Sequence, residues 1–144
     1  MEVFKIYIAT SWKNQHAVEL LTDLLETRFT NVEVKSFVRN ANEENLRDGK
    51  PEDLSTWIWS EKGQKSFDYD SYWAGHSDLV IAISNLGMDS CVEIGIAYAS
   101  KVPIFVLHAK GENIGLMRRC FESSFYEYTE LIKNIKINFP VVPK

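Results

Sequence analysis

Residues 78–83, Asp-Leu-Val-Ile-Ala-Ile, form an almost unbroken aliphatic run. A short run of this kind, rich in β-branched side chains, reads as a buried strand. A loop carrying Asn85 and Gly87 ends it, and Ser90-x-x-Glu93 then opens a small-residue apolar segment that reaches about Lys101. The order is strand, turn, helix, with one carboxylate in the first helical turn. In an open α/β sheet, ligands bind in the crevice outside the C-terminal ends of the strands. A carboxylate placed there is either a helix cap or a working group.

The rest of the chain repeats this alternation. Strand patterns fall at residues 3–9, 32–37 and 103–108, with a short edge strand at 125–128. Helical patterns fall at 15–27, 66–77 and 130–137, with a short helix near 115–117 and a tail at 140–144. Residues 38–65 break the periodicity with charges, Gly49-Lys50-Pro51 and Trp57-Ile58-Trp59, and read as an extended insertion with room for one short helix. This order predicts a single α/β domain over residues 1–144: a flavodoxin-like (Rossmann-like), doubly wound parallel sheet of about five strands, with helices on both faces. In strand order 2-1-3-4-5, strands one and three are neighbours whose helices leave to opposite faces. Residues 10–14 would then lie beside residues 84–90, with two helix N-termini pointing into one crevice that suits an anion. Topology gives a location and not an activity.

Composition narrows the partners. With 45% hydrophobic and 25% charged residues the 144-residue chain is an ordinary globular one, and its net charge of −4 argues against a nucleic-acid polymer or an anionic membrane as partner. No run approaches the ~20 apolar residues of a membrane span. Residues 1–5 lack the pattern of a secretory leader, so a cytoplasmic protein is expected. Cys91 and Cys120 have no metal-type spacing and read as small buried thiols; no metal site and no cofactor are expected.

Each candidate has a structural alternative. Ser90-x-x-Glu93 matches a capping box, the commoner role on spacing alone. Asp89, Ser90, Ser11 and Asn14 are either caps or ligand-binding groups. Gly95 costs its helix about 1 kcal/mol relative to alanine, which close packing or a nearby bound ring would justify. Asp70 reads by default as an exposed helix acid. Trp12, in a strand-to-helix loop, is a better stacking candidate than Trp57, Trp59, Tyr72 or Trp73. His16, His76 and His108 suggest neither a metal site nor a triad.

Residues 6–14, Ile-Tyr-Ile-Ala-Thr-Ser-Trp-Lys-Asn, resemble the opening of the nucleoside 2-deoxyribosyltransferase superfamily. Residues 87–97, Gly-Met-Asp-Ser-Cys-Val-Glu-Ile-Gly-Ile-Ala, resemble its signature, and Lys101-Val-Pro-Ile its lead into strand four. Residues 113–117 are a weaker echo of a segment that reaches a neighbouring subunit's site. The resemblance implies a retaining cleavage of a (deoxy)ribonucleoside or nucleotide N-glycosidic bond, with transfer to another base or to water and no metal or cofactor. Glu93 would be the nucleophile and Asp70 the group assisting departure of the base. Ser11, Asp89 and Ser90 would hold sugar hydroxyls or a 5′-phosphate, and Trp12 would cover the base. Thr10, Asn14, Gly87 and Met117 complete the implied substrate contacts, and a homodimer or larger assembly is implied as well. Leu86-Gly87 departs from the acidic residue that transferases carry in this turn, which leaves hydrolysis open. Two alternatives stand beside this reading. One is a TIR-like domain that splits NAD; the other is a nucleotide-binding module in which Glu93 is only a cap.

Overall fold

A computed structural model describes residues 1–43, 54–112 and 115–144. Five parallel strands form one sheet in the order β2-β1-β3-β4-β5. They are β1 (Phe4–Ala9), β2 (Val32–Ser36), β3 (Leu79–Ile83), β4 (Ile104–Leu107) and β5 (Ser123–Phe125). The helices are α1 (Gln15–Arg28), α2 (Phe37–Glu43), α3 (Leu54–Ile58), α4 (Glu61–His76), α5 (Met88–Ala99) and α6 (Tyr128–Asn138), with short 3-10 turns at Trp12–Asn14 and Leu116–Cys120. This is the expected doubly wound, flavodoxin-like α/β architecture.

Alternate residues of each central strand feed two cores, as the two-residue period of a strand requires. Ile6, Ile8, Leu79 and Ile81 pack with Val18, Leu21 and Leu25 of α1 and Leu131 and Ile135 of α6. Tyr7, Ala9, Val80, Ala82, Ile104 and Val106 face the other way, against Ala74 of α4 and Ile94 and Ala97 of α5. Helices α4 and α5 approach closely at Gly75, where an added Cβ would lie 3.1 Å from Ser100 Oγ and 3.3 Å from Ile96 Cγ2. The C-terminal tail is tied down: Asn31 Nδ2 donates to Pro140 O, the Val142 amide donates to Asn31 Oδ1, and the Lys144 amide donates to Arg28 O.

Several boundaries differ from the sequence reading. The expected extended insertion holds α2, α3 and the first turn of α4 among its described residues; residues 44–53 lie outside them. Helix α4 begins at Glu61 rather than near 66, because Ser60 Oγ caps it by accepting from the Gly63 amide at 3.2 Å. Gly63 is needed there, since a Cβ would overlap the Trp57 and Ile58 carbonyls. The last strand is Ser123–Phe125 and not 125–128, because Tyr128 already starts α6. Cys91, expected to be buried, is exposed, and Cys120 is partly buried; the inner positions of α5 go to Ser90, Glu93, Ile94 and Ala97 instead.

Candidate active site

Tyr7 lies in the middle of β1 and is fully buried on the α4–α5 side of the sheet. Its hydroxyl donates to Glu93 Oε1. Glu93 is one helical turn before Ala97, on the inner face of α5, and is 8% exposed. Asp70 is one turn before Ala74, on the inner face of α4, and its Oδ1 is buried with no hydrogen-bond partner. The Tyr7 hydroxyl is near enough to Asp70 to act on its carboxyl as well. Two helices and a strand thus bring two carboxyl groups to one phenol.

This geometry excludes a capping role for Glu93. Helix α5 starts at Met88 with Gly87 as its N-cap and no side-chain cap. Ser90 is therefore three residues inside the helix, and its hydroxyl donates to Gly87 O at 2.8 Å. Glu93 sits a turn further in and reaches across to β1 rather than back to the Ser90 amide, so there is no capping box. Nor is Asp70 a solvated helix acid. A buried charge needs a partner, and these two carboxyl groups share a neutral hydroxyl.

Burial, then the charge of Asp70, then that of Asp89 push the Glu93 carboxyl up to about 8, against a hydrogen bond from Tyr7 that lowers it. Burial and Asp89 push Asp70 up to about 7, again opposed by Tyr7. Burial and the two acids raise the Tyr7 phenol well above its ordinary value, so it stays protonated. Acids poised near neutrality beside a crevice are characteristic of functional sites. The pair loses its protons in two coupled steps. Burial raises Glu93 further than Asp70 even with the phenol donating to Glu93 Oε1.

The two loops meet as the topology requires. Thr10 Oγ1 donates to Ile83 O, and Asn14 Nδ2 donates to Thr10 Oγ1 at 2.8 Å and to Asn85 O at 3.1 Å. A Cβ on Gly87 would stand 3.6 Å from Ser11 Cβ. Thr10 and Asn14 are thus occupied in joining the β1 and β3 loops. Ser11 Oγ accepts from the Lys13 amide at 3.3 Å, and Asp89 is exposed in the first turn of α5. Trp12 packs edge-on against Phe37, ring centroids 4.6 Å apart, and is part of the wall of the core. Met117 is 73% exposed on the 3-10 turn Leu116–Cys120; residues 113–114 of the same echo lie outside the described residues. Gly95 is exposed with nothing near its added Cβ, so close helix-to-sheet packing does not account for it.

Tyr7 went unassigned in the sequence, although a signal existed. It is the one hydroxyl-bearing side chain in a strand whose other buried residues are apolar, and a buried tyrosine hydroxyl needs a partner. Among the described residues no group of three His, Cys, Asp or Glu side chains could hold a metal ion. No helix among them is long and apolar enough to cross a membrane.

No family model matches the sequence, and no curated protein matches it. Solved structures do. A 2-deoxyribosyltransferase from Bacillus psychrosaccharolyticus matches with TM-score 0.64 at 18% identity, covering 97% of this chain and 98% of that one. The fold is that of a 2-deoxyribosyltransferase. A conserved protein from Enterococcus faecalis V583 matches with TM-score 0.66 at 15% identity, over 95% and 99% of the two chains. The CMP N-glycosidase of Clostridium botulinum matches with TM-score 0.53 at 15% identity, over 92% and 98%. The sequence resemblance to the deoxyribosyltransferase superfamily is thus met by full-length structural likeness to a transferase and to a glycosidase.

Proposed function

We propose that this protein cleaves the N-glycosidic bond of a (deoxy)ribonucleoside or nucleotide. The observation that carries the reading is the buried Glu93 carboxylate, free of any capping role and aimed by Tyr7 beside a second acid, Asp70. The fold shared with a deoxyribosyltransferase and a CMP N-glycosidase supports it.

Tyr7 occupies Glu93 Oε1 and leaves Oε2 to attack the anomeric carbon. The bond from that carbon to the base nitrogen breaks, and its electron pair leaves with the base. Protonated Asp70 delivers its proton to the departing base, which avoids an anionic leaving group. The sugar is then esterified to Glu93. Water, giving its proton back to Asp70, attacks the same carbon, expels the Glu93 carboxylate and releases the sugar with retention. A second base attacking in place of water gives transfer. Ser11 and Asp89 are the sugar- and phosphate-facing groups of this reading, Ser90 is buried and holds the turn by donating to Gly87 O, Gly87 allows close approach, and the uncapped start of α5 favours a phosphate. Thr10 and Asn14 hold the crevice in shape, Trp12 forms its side wall, and Met117 is assigned to the site of a neighbouring copy.

The protein is further proposed to be a cytoplasmic homodimer or larger assembly. Exposed apolar side chains support this: Met88, Val92 and Tyr98 on α5, and Leu116 and Met117 on the 3-10 turn. Sedimentation as a clean monomer at micromolar concentration would remove the assembly.

The test is free-base release from ribo- and deoxyribonucleosides, their 5′-monophosphates and NAD, by wild type and Glu93→Gln, with and without an acceptor base. Release lost in the variant supports the reading, and the acceptor dependence separates transfer from hydrolysis. Release from NAD alone identifies the TIR-like activity. Saturable binding without release from any substrate identifies a binding module and refutes cleavage.

A further inference from the structure

Residues 83–85 end β3 and begin the loop that leads through Gly87 to α5, and side chains grip them from two sides. On the β1 side, Thr10 Oγ1 donates to Ile83 O and Asn14 Nδ2 donates to Asn85 O at 3.1 Å. On the β4 side, Ser84 Oγ donates to Glu112 Oε2 at 2.8 Å, and the Ser84 amide donates to Leu107 O at 3.0 Å. Ser84 and Glu112 are both half-buried. Three loops at the C-terminal end of the sheet thus meet at one short stretch.

The chain after β4 is shaped to deliver Glu112. Residues 109–112 form a tight turn in which the Glu112 amide donates to Ala109 O at 3.3 Å. Gly111 has φ +81, the left-handed backbone that the third position of such a turn takes up and that a side chain disfavours. The turn folds Glu112 back over its own start, where Oε2 accepts from the Ala109 amide at 3.1 Å as well as from Ser84 Oγ. Both bonds fall on one oxygen, and their donors are a hydroxyl and a backbone amide. The contact is therefore a tie of position and not an ion pair.

The buried cluster does not depend on this tie, because Tyr7, Glu93 and Asp70 stand on β1, α5 and α4. The tied loop carries Gly87, whose added Cβ would stand 3.6 Å from Ser11 Cβ, and leads directly to Asp89. We propose that Glu112 is a positioning residue for substrate binding: through Ser84 it fixes the β3 loop against the β1 loop. It thereby sets the spacing between Ser11 on one side of the crevice and Gly87 and Asp89 on the other. The assignment rests on the cleavage reading for what those groups bind, and it adds a residue that touches neither the substrate nor the acids.

The test is base release by wild type, Glu112→Ala, Glu112→Gln, Ser84→Ala and the double variant of Ser84→Ala with Glu112→Ala, with kcat and KM taken separately. Glu112→Ala should raise KM about tenfold, the worth of one good hydrogen bond, with kcat nearly unchanged. Glutamine can place its one amide oxygen where Oε2 stands, so Glu112→Gln should restore the wild-type KM. Ser84→Ala should raise KM too, and serves where Glu112→Ala does not fold. The double variant should be no worse than Glu112→Ala, because both changes remove the same bond. A lower Tm with KM unchanged, an additive double variant, or a Glu112→Gln as poor as Glu112→Ala would each overturn the proposal. Amide hydrogen exchange over residues 84–90 reads the tie without turnover: faster exchange is expected in Glu112→Ala and wild-type rates in Glu112→Gln. If wild type releases no base, the cleavage reading fails; unchanged exchange in Glu112→Ala overturns the tie whether or not base is released.

Discussion

Glu93→Gln should stabilise the protein while abolishing turnover, and the sign of the stability change is the informative part. The carboxyl has an ordinary value of 4.5 and is raised to about 8 by burial and by Asp70. Between those two values the folded chain holds a proton that the unfolded chain has lost. The stability of wild type therefore falls as pH rises through this window. At about 1.4 kcal/mol per pH step, that penalty is roughly 3 kcal/mol by pH 7. Glutamine has the same shape, keeps an oxygen for the Tyr7 hydroxyl to bond and carries no charge. Its own buried amide gives back part of the gain, which leaves a net stabilisation of about 1–3 kcal/mol. For a chain of this size that is roughly 3–9 °C in Tm. Thermal unfolding of wild type and variant at pH 5 and pH 8 measures it, with the gap widening towards pH 8. If Glu93 were the third member of a capping box, glutamine would serve in its place and the substitution would be nearly neutral at both pH values. A lower Tm for Glu93→Gln at pH 8 would refute the buried-acid argument.

Other changes give separate readings. Asp70→Asn keeps the shape but has no proton to give, so base release should slow by about 10²–10⁴-fold with the fold retained; a silent substitution would remove Asp70 from the leaving-group role. Tyr7→Phe removes the donor to Glu93 Oε1, a charge-assisted bond of about 1.5–3 kcal/mol. Release should fall by roughly 10–100-fold and the acid limb of its pH profile should move upward, whereas a purely structural Tyr7 would leave that limb in place. Activity itself needs one proton on the carboxyl pair, so the wild-type pH profile should be bell-shaped with limbs near about 7 and about 8. A profile flat from pH 4 to 9 would contradict the site. Arg39 Nη1 and Nη2 grip Glu26 at 2.6 and 2.9 Å, and this hydrogen bonding holds the Glu26 carboxyl below its ordinary value. Arg39→Met should therefore lower stability by about 1 kcal/mol at pH 7. That difference should fade in acid, as Glu26 is protonated on passing below its folded value; urea titrations at pH 7 and pH 3 compare the two.

The sheet order was legible because hydrophobic period and element order constrain it. A buried aliphatic run followed by a turn and an apolar helix reports burial on both faces, and parallel strands require crossovers. The crevice between residues 10–14 and 84–90 followed from that order, and the Thr10, Asn14 and Asn85 contacts are where topology puts them. Boundaries were less legible. The start of α4 depends on the Ser60 cap and the close approach at Gly63, contacts that no hydrophobic pattern carries.

The role of Glu93 divides the two kinds of information. Spacing alone matches a capping box, because a capping residue and a carboxylate three positions later are all that motif shows in a sequence. Whether Ser90 is the cap depends on where the helix starts, and it starts at Met88, two residues earlier. That shift turns Glu93 inward, on the same face as Ala97, to meet a tyrosine 86 positions earlier in the chain. The sequence by itself determined the sheet and the crevice, because these follow from periodicity and connectivity. Only the tertiary structure placed Tyr7, Asp70 and Glu93 together, because a buried charge is shifted by neighbours in space, and their separation along the chain carries no record of it.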